Sequence, residues 1–300
     1  MLTAIHILLT YTCNWECDHC FLFSSPRFEG TFSLARLRET LDEARKIPSL
    51  ERVCFEGGEP TLYYPLLVEG VRLARERGFK TEVVTNAYWA GCAEDAALWL
   101  APLVAQGLDE LTVSDDPFHR EGDITPGAVA LAAARSLGLP ASSICIERPV
   151  ARRSGLKGEP VLEGGSMLRG RAVEKLTDGL PLRPAAELSS CPHEELEHPG
   201  RVHLDPFGHV HLCQGLSLGN FLETPLSELV QSYDAARHPV CGPLVRGGPH
   251  ALANEYGVNV GEGFADECHY CYLVRKALRG RFPDLLAPPQ VYGQEPNEKE

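Results

Sequence analysis

No run of apolar residues in this 300-residue sequence approaches the ~20 needed to cross a bilayer, which argues against a helical membrane span. Positive charge is in deficit as well: 28 Lys and Arg stand against 41 Asp and Glu, a formal net charge of −13. A phosphate backbone or an anionic lipid surface would repel such a chain, so neither nucleic acid nor membrane is an expected partner. No basic region precedes the short apolar stretch at the N-terminus, so an export signal is missing too, and the expected location is the cytoplasm, where thiols stay reduced. The 44% hydrophobic content is ordinary for a globular protein, and the length suits one large domain or a larger and a smaller one.

Cysteine, by contrast, is plentiful. There are eleven: Cys13, Cys17, Cys20, Cys54, Cys92, Cys145, Cys191, Cys213, Cys241, Cys268 and Cys271. An odd count in a long chain without an export signal fits a disulfide scaffold badly, so those that bunch read as metal or cluster ligands. Three of them fall in CNWECDHC, directly after the apolar run IHILLT. Metal and iron–sulfur sites built wholly from protein usually take four ligands, and this loop offers three. A structural zinc loop would have to draft His19 or Asp18 as the fourth.

Between residues 50 and 150 one plan repeats about every thirty residues. ERVCF, KTEVVT, DELTVS and SSICIE read as strands, each followed by a polar loop and all but the last by a helix. Gly78 and Gly138 are placed to end two helices, and Thr125-Pro126 to start one. IHILLT and SLARLRETLDEARKI, with Ser33 as N-cap, make an earlier unit. Five or six β/α units are too few for a closed eight-stranded barrel, so residues 1–185 are expected to form a partial (β/α)6 TIM-like barrel. Chemistry then belongs at the carboxyl ends of the strands. The unusual sequences sit there: CNWECDHC, EGGEP, TN at 85–86 and SDDPFH at 114–119.

After residue 150 the plan changes. ARRSGLKGEPVLEGGS reads as a flexible connector and MLRGRAVEKL as a short helix. RVHLDPFGHVHLC alternates around DPFG as a β-hairpin, TPLSELVQSY is a helix, and residues 286–300 read as a disordered tail. Residues 186–285 are expected to form a small second domain.

CX3CX2C after the first strand of a partial barrel, with GGEP after the second, resembles the radical SAM enzymes. The resemblance implies that Cys13, Cys17 and Cys20 hold a [4Fe–4S] cluster whose fourth iron is chelated by S-adenosylmethionine. Reductive cleavage then gives methionine and a 5′-deoxyadenosyl radical that abstracts hydrogen from substrate. By the same match, Gly57 and Gly58 let the backbone approach the cofactor, and Glu59 and Pro60 complete GGEP, whose backbone and carboxylate are expected to meet the methionine ammonium. Ser114 and Asp116 contact ribose, and Asn86 belongs to the TN pair. His19 lies near the adenine, and Arg148 is a candidate for the SAM carboxylate. A flavodoxin- or ferredoxin-type reductant is implied as partner. For Ser114, Asp116 and Asn86 the plain alternative is turn capping.

The late cysteines resemble the auxiliary-cluster region called SPASM or twitch. Cys191, the GX4C element ending at Cys213, and Cys268 and Cys271 in CHYC would supply four thiolates to a second [4Fe–4S] cluster, with Cys241 spare. A four-cysteine zinc site is the rival, and the flanking His193, His198, His203, His209 and His211 are either further metal ligands or half-exposed strand residues. Cys54, Cys92, Cys145 and Cys241 are candidate hydrogen-atom donors or else buried thiols. Arg169 and Arg171 read as an anion site or a solvated helix face. The reaction expected is oxidation or rearrangement of a small metabolite, because the chain starts at its first barrel strand. The alternatives are modification of a peptide and, in another class, an electron carrier without catalysis.

Overall fold

The computed structural model describes residues 1–119, 125–153 and 160–294. Strands and helices alternate as β1 (Ala4–Thr10), α1 (Leu34–Ala44), β2 (Arg52–Gly57), α2 (Tyr64–Glu76), β3 (Lys80–Thr85), α3 (Ala93–Ala105), β4 (Glu110–Ser114), α4 (Pro126–Ser136) and β5 (Ala141–Ile144). The local signals act as chemistry dictates. The Ser33 hydroxyl accepts from Arg36 N to open α1, and Thr125 accepts from Ala128 N to open α4 with Pro126 at its first position. All neighbouring pairs from β1 to β5 are parallel.

The two faces of this sheet differ. Ile5, Ile7, Leu9, Val53, Phe55, Val83, Leu111 and Val113 pack with the helices in the main core. Residues paired directly across strands share a face, and the row Glu110, Glu82, Cys54, His6, His203, His211 runs across the opposite one. An open, twisted sheet with helices outside and a polar concave side is what a partial barrel requires. The carboxyl ends of β1–β4 bring the cysteine loop, GGEP, TN and SDD to one rim.

Beyond β5 the structure departs from expectation in four places. After β5, β6 (Val150–Arg153) and β7 (Pro160–Glu163) pair antiparallel as a hairpin, so the stretch read as a flexible connector is ordered at both ends. Residues 154–159 lie outside the described residues. After α5 (Arg171–Lys175) and the two-residue β8 (Arg183–Pro184), the hairpin of β9 (Arg201–Leu204) and β10 (His209–Cys213) joins the main sheet, because β9 pairs parallel with β1. With β11 (Leu216–Asn220) the sheet reaches eight strands, order β11-β10-β9-β1-β2-β3-β4-β5. The boundary drawn at 185/186 therefore crosses a continuous sheet. Finally, the segment read as a disordered tail from residue 286 packs down to Gly293: Leu286, Ala287, Val291 and Tyr292 are buried and Pro289–Tyr292 form a 3-10 turn. Residues 295–300 lie outside the described residues. The remaining elements are α6 (Leu226–Ser232), α7 (Cys241–Tyr256), β12 (Gly263–Phe264) and α8 (Glu267–Leu278).

Candidate functional site

The cysteine loop leaves β1 and folds over the rim. Cys13 is buried, Cys17 and Cys20 half-buried, and the three thiols bear on one another electrostatically. Burial pushes Cys13 up to about 12, against the opposing pull of Trp15 N–H at 3.4 Å from Sγ. Burial pushes Cys17 higher still. As free thiols both stay protonated at neutral pH, and a metal has to displace those protons on binding.

SDDPFH supplies a chain of contacts that motif matching did not assign. Asp116 Oδ1 accepts from His119 Nδ1 at 2.8 Å, and His119 Nε2 lies 3.0 Å from Cys17 Sγ. The carboxylate fixes the tautomer, so Nε2 is free to take the Cys17 proton. The signal was present in the sequence, a histidine five residues past the end of β4. Trp15, His19 and Phe118 crowd around, with the His19 ring 4.6 Å from Phe118 and 5.6 Å from His119. Burial pulls His19 down to about 4. Two polar atoms here are buried without a partner, Asp116 Oδ2 and His19 Nδ1.

The GGEP glycines serve a tighter purpose than expected. A Cβ on Gly57 would sit 2.4 Å from Thr10 O, and one on Gly58 2.2 Å from Thr12 O. The backbone they admit at close range is that of the cysteine loop's root, to which Gly58 and Glu59 donate N–H bonds of 2.7 and 2.9 Å. Pro60 starts a 3-10 turn and is buried. The Glu59 carboxylate, expected to face an ammonium, is fully engaged inside the protein. It accepts from Thr61 N, Thr61 Oγ1, Thr85 Oγ1 and Asn86 N at 2.5–3.0 Å. It thereby ties the ends of β2 and β3 together and sets Asn86, whose Nδ2 donates to Asn14 Oδ1 at 2.9 Å and lies 3.8 Å from Cys13 Sγ. Ser114 closes β4 on the same rim. Arg148 is half removed from the role suggested for it: it pairs with Asp18 of the cysteine loop at 2.6 Å, over the Phe118 ring.

The LRGRA segment is not a solvated face. Arg169 and Arg171 are buried. Arg171 donates to Cys17 O, Phe23 O and Ser24 O, each at 2.8 Å, and its backbone N–H to Cys20 O at 2.9 Å. One side chain thus staples the cysteine loop along its length. Gly170 between them has φ +62°, and a Cβ there would lie 2.5 Å from Phe21 Cα. Arg169 turns the other way, 2.9 Å from Cys213 Sγ.

The four late cysteines do converge. Cys191, Cys213, Cys268 and Cys271 line one small pocket with Arg169, Glu194 and Arg275. Cys268 and Cys271 come from the first turns of α8, opened by the Asp266 carboxylate, which accepts from His269 N. Cys241 is not in that lining; it is fully buried at the start of α7, and burial pushes it up to about 12, with a Tyr233 hydrogen bond opposing. Cys54 is fully buried and Cys92 caps α3, while Cys145 is exposed just beyond β5. His211, read as half-exposed, is fully buried. His209 and His211 share Asp205 Oδ2 with the Tyr11 hydroxyl, and His6 and His203 share Glu56. Among the described residues, three-donor groups with all ligand atoms within 4.8 Å of one another are His6–Cys54–Glu56 and Asp205–His209–His211, and neither cysteine set is one. No helix among the described residues is long and apolar enough to cross a membrane.

Residues 7–126 match the family described as the radical SAM superfamily. Of curated proteins, the "Putative peptide biosynthesis protein YydG" of Bacillus subtilis is 26% identical over 116 residues, 39% of this chain and 36% of that one. The tungsten-containing aldehyde ferredoxin oxidoreductase cofactor-modifying protein of Pyrococcus furiosus is 34% identical over 83 residues, 27% of this chain and 23% of that one. The match thus spans about a third or less of these relatives. The crystal structure of BtrN in complex with AdoMet and 2-DOIA superposes with a TM-score of 0.50 at 17% identity, covering 77% of this chain and 83% of that one, and shares its fold.

Proposed function

We propose, from the premise that residues 7–126 form a radical SAM domain, that this chain is an enzyme holding two iron–sulfur clusters. Domains of this kind carry a [4Fe–4S] cluster and S-adenosylmethionine. Cys13, Cys17 and Cys20 are the ligands we assign to the first cluster, and Cys191, Cys213, Cys268 and Cys271 to the second. When bound, the groups supply one-electron reduction of the sulfonium, abstraction of a hydrogen atom from substrate and, at the second site, an acceptor for one electron.

The observation that carries the reading is the donor set at the rim: three thiols close enough to bear on one another electrostatically, with Asn86 beside Cys13 and the Asp116–His119 pair beside Cys17. The orphaned Asp116 Oδ2 and His19 Nδ1 fit a site that receives a further polar group.

The chain's own residues have separable tasks. His119, oriented by Asp116, accepts the Cys17 proton as the thiol becomes a ligand and then donates a hydrogen bond to the thiolate sulfur. Glu59 fixes Asn86 beside Cys13. Arg171 holds the loop's carbonyls so that the three sulfurs keep one geometry. The substrate we favour is a small metabolite that undergoes oxidation. A peptide substrate is the second reading, favoured by the match to the B. subtilis protein. Anaerobic reconstitution followed by dithionite and S-adenosylmethionine tests the enzyme reading: methionine and 5′-deoxyadenosine must appear, and their absence leaves an electron carrier. Deuterium transfer from labelled candidates into 5′-deoxyadenosine separates the two substrate classes.

A further inference from the structure

Two guanidinium groups converge on Cys213. Arg169 Nη1 lies 2.9 Å from its Sγ and Arg275 Nη2 3.9 Å. Both side chains are buried, 4% and 1% exposed, and the Nε of each has no partner. Their counter-charges differ. Arg169 is met by Glu194 at 3.1 Å, which also pairs with Arg201 at 3.3 Å. Arg275 has no carboxylate partner among the described residues. Its Nη1 donates to Gln214 O at 3.0 Å and approaches Tyr292 Oη at 3.4 Å. Tyr292 is not the missing anion, because its hydroxyl donates to Gly215 O at 2.6 Å and so keeps its proton. The groups that can bear negative charge toward Arg275 are Cys271, Cys213 and Cys268, together with Cys241 and Tyr272, which burial pushes up so that both keep their protons.

An uncompensated buried cation is strongly disfavoured. As neutral thiols these cysteines would leave Arg275 in that position. As ligands they are thiolates, and four thiolates around an oxidised [4Fe–4S] core carry a net charge of about −2. The fold has thus buried a full positive charge where only a ligated cluster answers it. Reduction adds one more negative charge, and a cation close to a ligating sulfur favours that form.

We propose that Arg275 is a positioning residue acting through Cys213, which raises the reduction potential of the second cluster so that it can accept an electron. The proposal rests on the reading of Cys191, Cys213, Cys268 and Cys271 as cluster ligands. The test uses full-length protein with Cys13, Cys17 and Cys20 replaced by Ala, so that the second site is observed alone after anaerobic reconstitution with iron and sulfide. Redox titration followed by electron paramagnetic resonance then compares this parent with added Arg275→Gln and Arg275→Lys. Arg275→Gln should keep about four irons and titrate more negative by at least a tenfold change in the reduction equilibrium, about 59 mV for one electron. Arg275→Lys, which keeps the charge, should recover most of the shift. A Gln variant with full iron and an unmoved or more positive potential overturns the proposal. Should that variant fail to fold, Arg275→Met, which removes the charge and keeps an apolar stem, is titrated in its place, and an unmoved or more positive potential there overturns the proposal equally. A parent that takes up zinc but no iron overturns the cluster reading beneath, a result distinct from an unmoved potential.

Discussion

Arg171→Met tests whether one side chain holds the cysteine loop in place before any cofactor arrives. The substitution keeps most of the apolar stem and removes the guanidinium, whose Cζ lies over the Phe23 ring at 5.3 Å and whose nitrogens make three charged N–H bonds of 2.8 Å. Cys17 is half-buried, so its carbonyl can find water, whereas Phe23 and Ser24 are 6% and 2% exposed. Leaving two buried carbonyls without donors costs about 1–3 kcal/mol each, so the loop loses about 4 kcal/mol. A domain with ~5–15 kcal/mol of total stability survives that, but local opening rises roughly 10³-fold. Hydrogen exchange on the cluster-free protein reads it directly at the amides of Cys20 and Phe23, which donate to Cys17 O and Cys20 O inside the loop. Exchange there should quicken by about three decades while β1 and β2 are unchanged. A variant whose loop amides exchange within tenfold of the parent's would refute the staple, whatever its activity.

Four further outcomes follow. Gly170→Ala forces a Cβ against Phe21 backbone at φ +62° and should cost about 3 kcal/mol in denaturant melts, whereas Gly200→Ala, with nothing within 4 Å, should be near neutral. Burial pushes the Glu56 and Asp205 carboxyls up, but their histidine partners outweigh it and hold both well below the ordinary 4.5 and 3.8. The unfolded chain therefore binds protons first on acidification: stability is full above about pH 5 and falls below it by up to ~1.4 kcal/mol per pH unit per group. Glu56→Gln should flatten that slope, and urea melts from pH 3 to 6 check it. His119→Ala should weaken retention of the first cluster about 10–100-fold, read as iron loss to a chelator. Cys213→Ala should lower reconstituted iron from about eight to about four per chain; a variant keeping eight is not using this sulfur.

Local order explains how much of this was readable in advance. Strand and helix positions up to residue 144 followed from alternation, caps and Pro–Gly punctuation, all set by neighbours in the chain. The cysteine spacing and GGEP pointed to the same family whose model matches residues 7–126, because both motifs are short and depend on residue type. Glu59 marks a limit of the sequence: it shows a carboxylate but not the Thr61, Thr85 and Asn86 donors that engage it. The buried tail failed similarly, since PPQVYG looks unstructured until Tyr292 meets Gly215 and Arg275.

By itself, the sequence determined the β/α rhythm and two sets of cysteines, one of three and one of four, because both depend on residue type and short spacing. Only tertiary structure decided that β9 would extend the sheet beside β1, and that Arg169 and Arg171 would face the two sets from either side of Gly170. It alone placed Arg275 beside Cys213. Those are contacts between groups dozens to hundreds of residues apart, and their strength comes from excluding water, which no local pattern records.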